Sequence, residues 1–217
     1  MPLDLRKPIT YLITSGETTA ATTPLTEDFS LILKLVAAAV AAGISLVQLR
    51  EKNLTARVLY ELASHAVELT LGSATRLLVN DRADIACAAE ADGVHLTTRS
   101  LAADTVRHNF GREFLVGVST HSLGEARAAR EGGADFVVFG PVFETASKPI
   151  YGAPVGLAGL NAVASELSPF PVIALGGVTV DNAGVCLRAG ASGVAGISLF
   201  KDPVSLGRVR AVVGPEQ

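Results

Sequence analysis

A single-domain α/β barrel of eight parallel strands, each followed by a helix, is the fold this sequence predicts. Short apolar, β-branched runs alternate with Ala/Leu-rich segments of helical spacing along nearly the whole chain. The strand runs are continuously apolar, which marks strands buried on both faces and therefore parallel pairing. Eight such pairs in 217 residues suit a closed (β/α)8 TIM barrel better than an open doubly wound sheet, the alternative layout of the same units. A joint also repeats: "AAGISLVQLR", "AEADGVHL", "REGGADFVVFG" and "RAGASGVAGIS" each run from helix end through Gly and a small or acidic residue into a strand.

In chain order, the first strand is expected at Ile9–Thr14. After it comes "SGETTAATTPLTED", rich in Thr and Ala and without a periodic apolar face. It is expected as a mobile loop near 15–25 that covers the site or simply lies on the surface. A helix over 28–42 stops at Gly43, and the second strand, Ser45–Arg50, leads to a helix over 55–71 between Thr55 and Gly72. Strand Arg76–Asn80, helix 82–90, strand Gly93–His95 and helix 99–109 follow, then strand Leu115–Ser119. The fifth helix, 122–132, opens at Ser122 and stops at Gly132-Gly133, and strand Asp135–Gly140 precedes helix 156–167. Strand Pro171–Leu175, helix 180–189 between Thr179 and Gly190, and strand Gly193–Ile197 complete the sheet. Asp202-Pro203 opens a last helix over 203–212.

Composition narrows the function. The chain is 49% hydrophobic with a formal net charge of −3, which supplies a sizeable core and argues against a nucleic-acid binder. Any anion site must then be local, built from a few placed cations and backbone amides. Cys87 and Cys186 lie in apolar surroundings without metal or CxxC spacing and are expected as reduced core residues. The N-terminus shows no hydrophobic signal core, and the apolar run Leu35 to Leu49 is broken by Gly43. It falls short of the roughly 18 residues a membrane span requires. A soluble, cytoplasmic protein with no membrane partner is expected, and a homo-oligomer is compatible with the composition.

In such barrels the chemistry sits at the C-terminal rim of the sheet. "SLVQLREKN" is apolar until it delivers Gln48, Arg50 and Lys52, which share one strand parity and can point the same way, with Glu51 facing elsewhere. The other strand ends contribute Asn80, Asp81, His95, Ser119, His121, Thr145, Ser147 and Lys148. Three cations among hydroxyls and amides suit a polyanion whose charge must be matched once water is displaced. Gly176-Gly177 and Ser198, after the last two strands, fit a phosphate cradle, although a tight turn also explains a Gly pair. Asp81 is either a helix cap or a hard oxygen ligand for Mg²⁺. His95 reads as a satisfied core histidine, and His121, past its strand end, is the better candidate for proton transfer.

The motifs "QLREK", "NDRADIACAAEADGVHL", "GVSTHS", "GADFVVFGPVFETASK", "PVGLAGL", "PVIALGGV" and "AGASGVAGIS" occur in an order that resembles the thiamin phosphate synthase family and its TenI-type thiazole tautomerase relatives. The resemblance covers about residues 9 to 200. It implies coupling of hydroxymethylpyrimidine diphosphate to thiazole phosphate with release of diphosphate, through a pyrimidine carbocation trapped by the thiazole nitrogen. It implies that Arg50, Lys52, Asn80, Ser119 and Lys148 hold the diphosphate and that Asp81 holds Mg²⁺. By the same resemblance Gln48 faces the pyrimidine, Thr145 and Ser147 the thiazole phosphate side, and Gly177, Ile197 and Ser198 the phosphate itself.

Two positions depart from the synthase pattern. The family's "GVHL" strand is normally followed by Gly-Gln-Glu-Asp or Gly-Gln-Asp-Asp, whose last Asp is the second metal ligand. Here the stretch is "GVHLTTRSL", with Ser100 at that Asp position and Arg99 beside it. "FET" at 143–145 departs from the synthase's Phe-Pro-Thr and is similar to the tautomerase branch, in which the His matching His121 is the acid/base. Synthase is the expected activity, a cofactor-independent tautomerase is the alternative, and a non-catalytic barrel binding phosphorylated ligands stands behind both.

Overall fold

A computed structural model describes residues 7–145, 153–200 and 203–213. Eight parallel strands close into a barrel in sequence order: β1 (Ile9–Ile13), β2 (Leu46–Leu49), β3 (Arg76–Asn80), β4 (Gly93–Leu96), β5 (Leu115–Thr120), β6 (Phe136–Phe139), β7 (Val172–Ala174) and β8 (Gly193–Gly196). The circuit closes where β1 pairs with β8, Tyr11 opposite Ala195. Helices α1 (Glu27–Ala42), α2 (Ala56–Thr70), α3 (Ala83–Ala88), α4 (Ala103–Phe110), α5 (Leu123–Glu131), α6 (Gly156–Leu167), α7 (Val180–Arg188) and α8 (Pro203–Val213) surround it.

Strand parity divides the core in two. Val47, Leu49, Leu77, Val79, Val94, Val116, Val137 and Val194 point outward into the layer shared with the helices. Tyr11, Leu46, Leu78, Leu115, Phe136, Val138, Ile173 and Ala195 fill the barrel interior. Gly117 makes room there, because a Cβ at that position would lie 2.3 Å from the Phe136 ring and 2.9 Å from His95 Nδ1. A barrel of this size is a packed core with a floor, and its ligand site lies above that floor.

The predicted caps operate as caps. Thr55 accepts from Val58 N–H and Ser122 from Glu125 N–H, while Thr179 and Asn182 form a reciprocal capping box. Gly43 ends α1 in the left-handed region with φ 66°. The repeated acidic joint has a physical cause at the opposite rim. Asp92 accepts the Leu77 N–H at 2.8 Å and pairs with Arg76, and Asp135 accepts the Val116 N–H at 2.7 Å and pairs with Arg107. Each carboxylate thus ties a strand entrance to its neighbour.

Two expectations are corrected. The helix expected over 99–109 begins only at Ala103, because Thr97–Ser100 fold into a turn closed by Ser100 N–H to Thr97 C=O. Cys87 is exposed, whereas Cys186 is buried; both are free thiols. The short α3 turns Ala83, Ile85 and Ala86 inward, which leaves position 87 on its outer face. Among the described residues no helix is long and apolar enough to cross a membrane.

Candidate active site

A cavity of about 250 Å³ opens at the C-terminal rim, and nearly every strand end contributes to its wall. Gln48, Arg50 and Lys52, sharing one parity, all line it, as do Asn80, Ser119, His121, Thr145, Gly177, Ile197 and Ser198. Asp81 is exposed and stands beside Asn80 outside the lining. Ser147 and Lys148 lie outside the described residues.

The charge that ends β2 divides as parity requires. Arg50 and Lys52 face the cavity, and Glu51 turns away into a buried cage of loop donors. Its carboxylate accepts from the hydroxyls of Thr14 and Thr18, and from the Gly16 N–H at 3.3 Å. Asn53 adds a bond from its amide to the Thr18 carbonyl at 2.8 Å. The segment expected as a cover is thereby tied at its base to the strand that carries the cations. Burial lowers the Lys52 pKa below 10.5, and Arg50 lowers it further; Asp81 opposes this, and Arg99 adds a smaller lowering. A cation whose charge is disfavoured in the empty site gains when an anion arrives.

Gly176 and Gly177 supply a further part of the wall. Both adopt positive φ, and a Cβ on Gly177 would lie 2.4 Å from the Glu144 carbonyl oxygen. Only glycine lets this turn approach the loop that carries Thr145. The Asn182 amide donates to the Gly177 carbonyl at 2.9 Å, so the α7 capping box also fixes the cradle.

Three histidine and tyrosine positions define the remaining chemistry. His121 Nδ1 bonds the Gly140 carbonyl, which can only accept, so Nδ1 carries a proton and proton exchange with a ligand falls to Nε2. His95 is buried, as a core histidine should be, yet it also reaches the cavity floor. It is bonded to Tyr11 at 3.1 Å through Nδ1 and to Ser119 at 2.8 Å through Nε2. Tyr11 escaped the sequence reading. Its signal was its place in "ITYLI", where positions 9, 11 and 13 share the inward parity. Thr97, Thr98 and Pro141 also line the cavity and carried no chemical signature of their own.

For Mg²⁺, Asp81 offers one exposed carboxylate on a backbone held at φ 65° by its N–H to the His95 carbonyl. It does not cap α3, whose first flanking residue is Arg82. The Ser100 hydroxyl is turned into its own loop, accepting the Thr97 N–H at 2.8 Å. Among the described residues no cluster of three or more His, Cys, Asp or Glu could hold a metal. This donor set fits an ion that brings most of its oxygen ligands with a phosphate, and does not fit a cage built by the protein.

Comparison with known proteins agrees with the geometry. The model of the thiamine monophosphate synthase family matches residues 11–200. A putative thiamine-phosphate synthase of Geobacter sulfurreducens is 49% identical over 183 residues, covering 84% of this chain and 85% of the relative. The thiamine-phosphate synthase of Moorella thermoacetica is 44% identical, covering 76% and 79%. The structure of a thiamine phosphate pyrophosphorylase from Pyrococcus furiosus superposes with a TM-score of 0.81 at 30% identity, over 97% of this chain and 98% of that one. A matched barrel, cations and a diglycine turn lining one cavity, and relatives matched over most of their own length lead to one assignment: this chain belongs to the thiamine monophosphate synthase family.

Proposed function

We propose that the protein is a thiamin phosphate synthase, an enzyme of thiamine biosynthesis that joins hydroxymethylpyrimidine diphosphate to thiazole phosphate and releases diphosphate. The observation that carries this reading is that Arg50, Lys52, Asn80 and Ser119 line a single cavity together with Gly176-Gly177 and Ser198. The cations and the diglycine turn then offer two anion subsites in one cavity, with room for the reacting carbon between them.

Arg50 and Lys52 bind the diphosphate, with Lys148 assigned to the same task, and Ser119 donates its hydroxyl. Gln48 faces the pyrimidine. As the carbon–oxygen bond breaks, the electron pair leaves with the diphosphate, and these donors stabilise the charge that accumulates there. The thiazole, held through Thr145, Ser147, Gly177, Ile197 and Ser198, presents its ring nitrogen, whose lone pair forms the new carbon–nitrogen bond. No proton leaves carbon, so this reaction asks no base of His121. Mg²⁺, held by Asp81 and the substrate's oxygens, would neutralise part of the leaving charge.

Purified protein supplied with Mg²⁺ and both substrates should form thiamin phosphate and stoichiometric diphosphate. One feature keeps the thiazole tautomerase as a second reading: His121 lines the cavity with its Nδ1 proton held by the Gly140 carbonyl. Isomerisation of a thiazole carboxylate phosphate without synthase turnover would replace the first reading by the second.

A further inference from the structure

Four polar side chains cross the barrel beneath the cavity in an unbroken line. The Gln48 amide nitrogen bonds Tyr11 Oη at 3.1 Å, Tyr11 Oη bonds His95 Nδ1 at 3.1 Å, and His95 Nε2 bonds Ser119 Oγ at 2.8 Å. Gln48, Tyr11 and His95 are no more than 2% exposed, and Gln48, His95 and Ser119 all line the cavity. The ends of the line therefore sit at the ligand, and its middle is out of water.

Donor counting leaves such a line little freedom. Burial raises the Tyr11 pKa well above 10.0, so the phenol keeps its single proton. An amide nitrogen only donates, so Tyr11 Oη accepts from Gln48 and must give its own proton to His95 Nδ1. The His95 ring is then neutral with its proton on Nε2, and it donates to Ser119 Oγ. Ser119 has its acceptor role filled and turns its hydroxyl proton to the cavity. Flipping the Gln48 amide reverses every bond: Ser119 donates to Nε2, Nδ1–H to Tyr11, Tyr11 to the Gln48 oxygen, and the Gln48 NH₂ turns to the ligand. A doubly protonated His95 would donate to both Tyr11 and Ser119 and uncouple the two ends, because Tyr11 would then donate to the Gln48 oxygen while Ser119 still turned its proton to the cavity.

We propose that Gln48, Tyr11, His95 and Ser119 form one reversible hydrogen-bond relay, which makes recognition of the aminopyrimidine at Gln48 and of the diphosphate at Ser119 a single coupled event. Tyr11 and His95 are its positioning residues. The inference rests on the synthase reading for the identity of the two ligands. An anion accepts only, so it selects the arrangement in which Ser119 donates. That same arrangement presents the Gln48 oxygen to the donating amino group of the pyrimidine. Each ligand thus prepays the ordering of the other, which is positive coupling through a two-state element.

Two measurements on the full chain test it. The first titrates inorganic diphosphate and an aminopyrimidine bearing a methyl group in place of its diphosphate ester arm, each alone and each saturated with the other. Either ligand should tighten the other by about fivefold or more, the low end of ordinary coupling. Tyr11→Phe should bring that factor to about one while changing each separate affinity less than the coupling itself. The second needs no substitution in the relay: ¹⁵N-histidine spectra of the wild type with diphosphate, the His95 signals being those that survive in each of His65→Gln, His108→Gln and His121→Gln. They should show His95 neutral and protonated on Nε2. A proton on Nδ1, a doubly protonated ring, or coupling that survives Tyr11→Phe would overturn the relay. Binding of both probes without coupling would also overturn it and leave the synthase reading intact. Failure of the wild type to bind either probe would overturn both together.

Discussion

The Thr14 hydroxyl donates to the Glu51 carboxylate and accepts the Arg50 backbone N–H at 2.8 Å, so one side chain joins the end of β1 to the charged end of β2. Glu51 also gathers Thr18 and the Gly16 N–H, while Arg50 Nη1 reaches the Ser15 carbonyl at 3.4 Å. Replacing Glu51 by Gln removes one accepting oxygen from this buried cage. Glu51→Gln should destabilise the fold by about 1–3 kcal/mol, the range for an unsatisfied buried polar group. Amide exchange over residues 15–22 should quicken, and the KM for the pyrimidine diphosphate should rise more than kcat falls. Unchanged exchange in that loop would show that Glu51 does not hold it.

Arg50→Ala tests the anion site itself. A charge-assisted contact to a desolvated phosphate should be worth about 2–4 kcal/mol, so diphosphate affinity should fall by about 30-fold or more. Calorimetric titration with inorganic diphosphate reads this directly. Affinity equal to the wild type would make Arg50 a solvated strand end.

Lys52 sets a pH dependence. Its pKa in the empty site lies below 10.5 because burial, and then Arg50, disfavour the charged form. Diphosphate affinity should therefore be full below that lowered value and decline as pH rises through it, earlier than an ordinary lysine would allow. Stability of the unliganded protein moves the other way. The depressed folded pKa means the charged ammonium destabilises the fold at lower pH, and this penalty fades as pH rises between the folded and unfolded values. Lys52→Arg keeps the charge, so the alkaline decline in affinity should shift upward; an unmoved decline would assign it to another group.

Ser100 and His121 separate the two reactions. A synthase with one protein carboxylate at its metal position should need high Mg²⁺, and Ser100→Asp should lower the concentration for half-maximal activity. A tautomerase should ignore Mg²⁺ and lose about 10²–10⁴-fold in rate with His121→Ala, the usual scale for a removed acid/base. Ser100→Asp protein that makes no thiamin phosphate at any Mg²⁺ level would defeat the synthase reading.

Asn182→Ala should loosen the cradle without touching ligand. It removes the amide bond to the Gly177 carbonyl and half of the α7 capping box. A stability loss of about 1 kcal/mol is expected, with a raised KM for the thiazole phosphate and an unchanged affinity for diphosphate. Equal weakening of both ligands would place the effect in the barrel as a whole.

What could be read from the sequence followed strand by strand from one fact, that a buried parallel strand shows its parity. Gln48, Arg50 and Lys52 were legible because alternate residues leave the sheet on the same side, and the caps Thr55, Ser122 and Thr179 because their short side chains have one efficient use. The parity of "ITYLI" turns Tyr11 inward, but whether its hydroxyl only packs in the core or meets His95 is decided by a distance that the run does not carry. The resemblance puts Ser100 at the position of the family's second metal Asp, but the turn that engages its hydroxyl depends on Thr97 N–H, a backbone group with no sequence signal. Cys87 was misread because a helix of six residues buries only part of its circumference, and which part depends on the neighbouring strand.

Beneath the cavity, whose lining only His95 of the three reaches, the rings of Tyr11, His95 and Phe136 pack with centroids 5.6–6.2 Å apart, admitted by the absent side chain at Gly117. Tyr11 stands edge to face against the other two, and His95 is tilted against Phe136. Two of those three rings are also the conductors of the hydrogen-bond line. A mutation that deepens the cavity to admit a bulkier heterocycle must shrink or displace one of them, and thereby cut or reroute that line. A filled Gly117 would push on His95 and Phe136 at once. Ligand size and ligand polarity are therefore inherited as one trait here, and descendants of this chain could change their preferred heterocycle from the rim far more readily than from below.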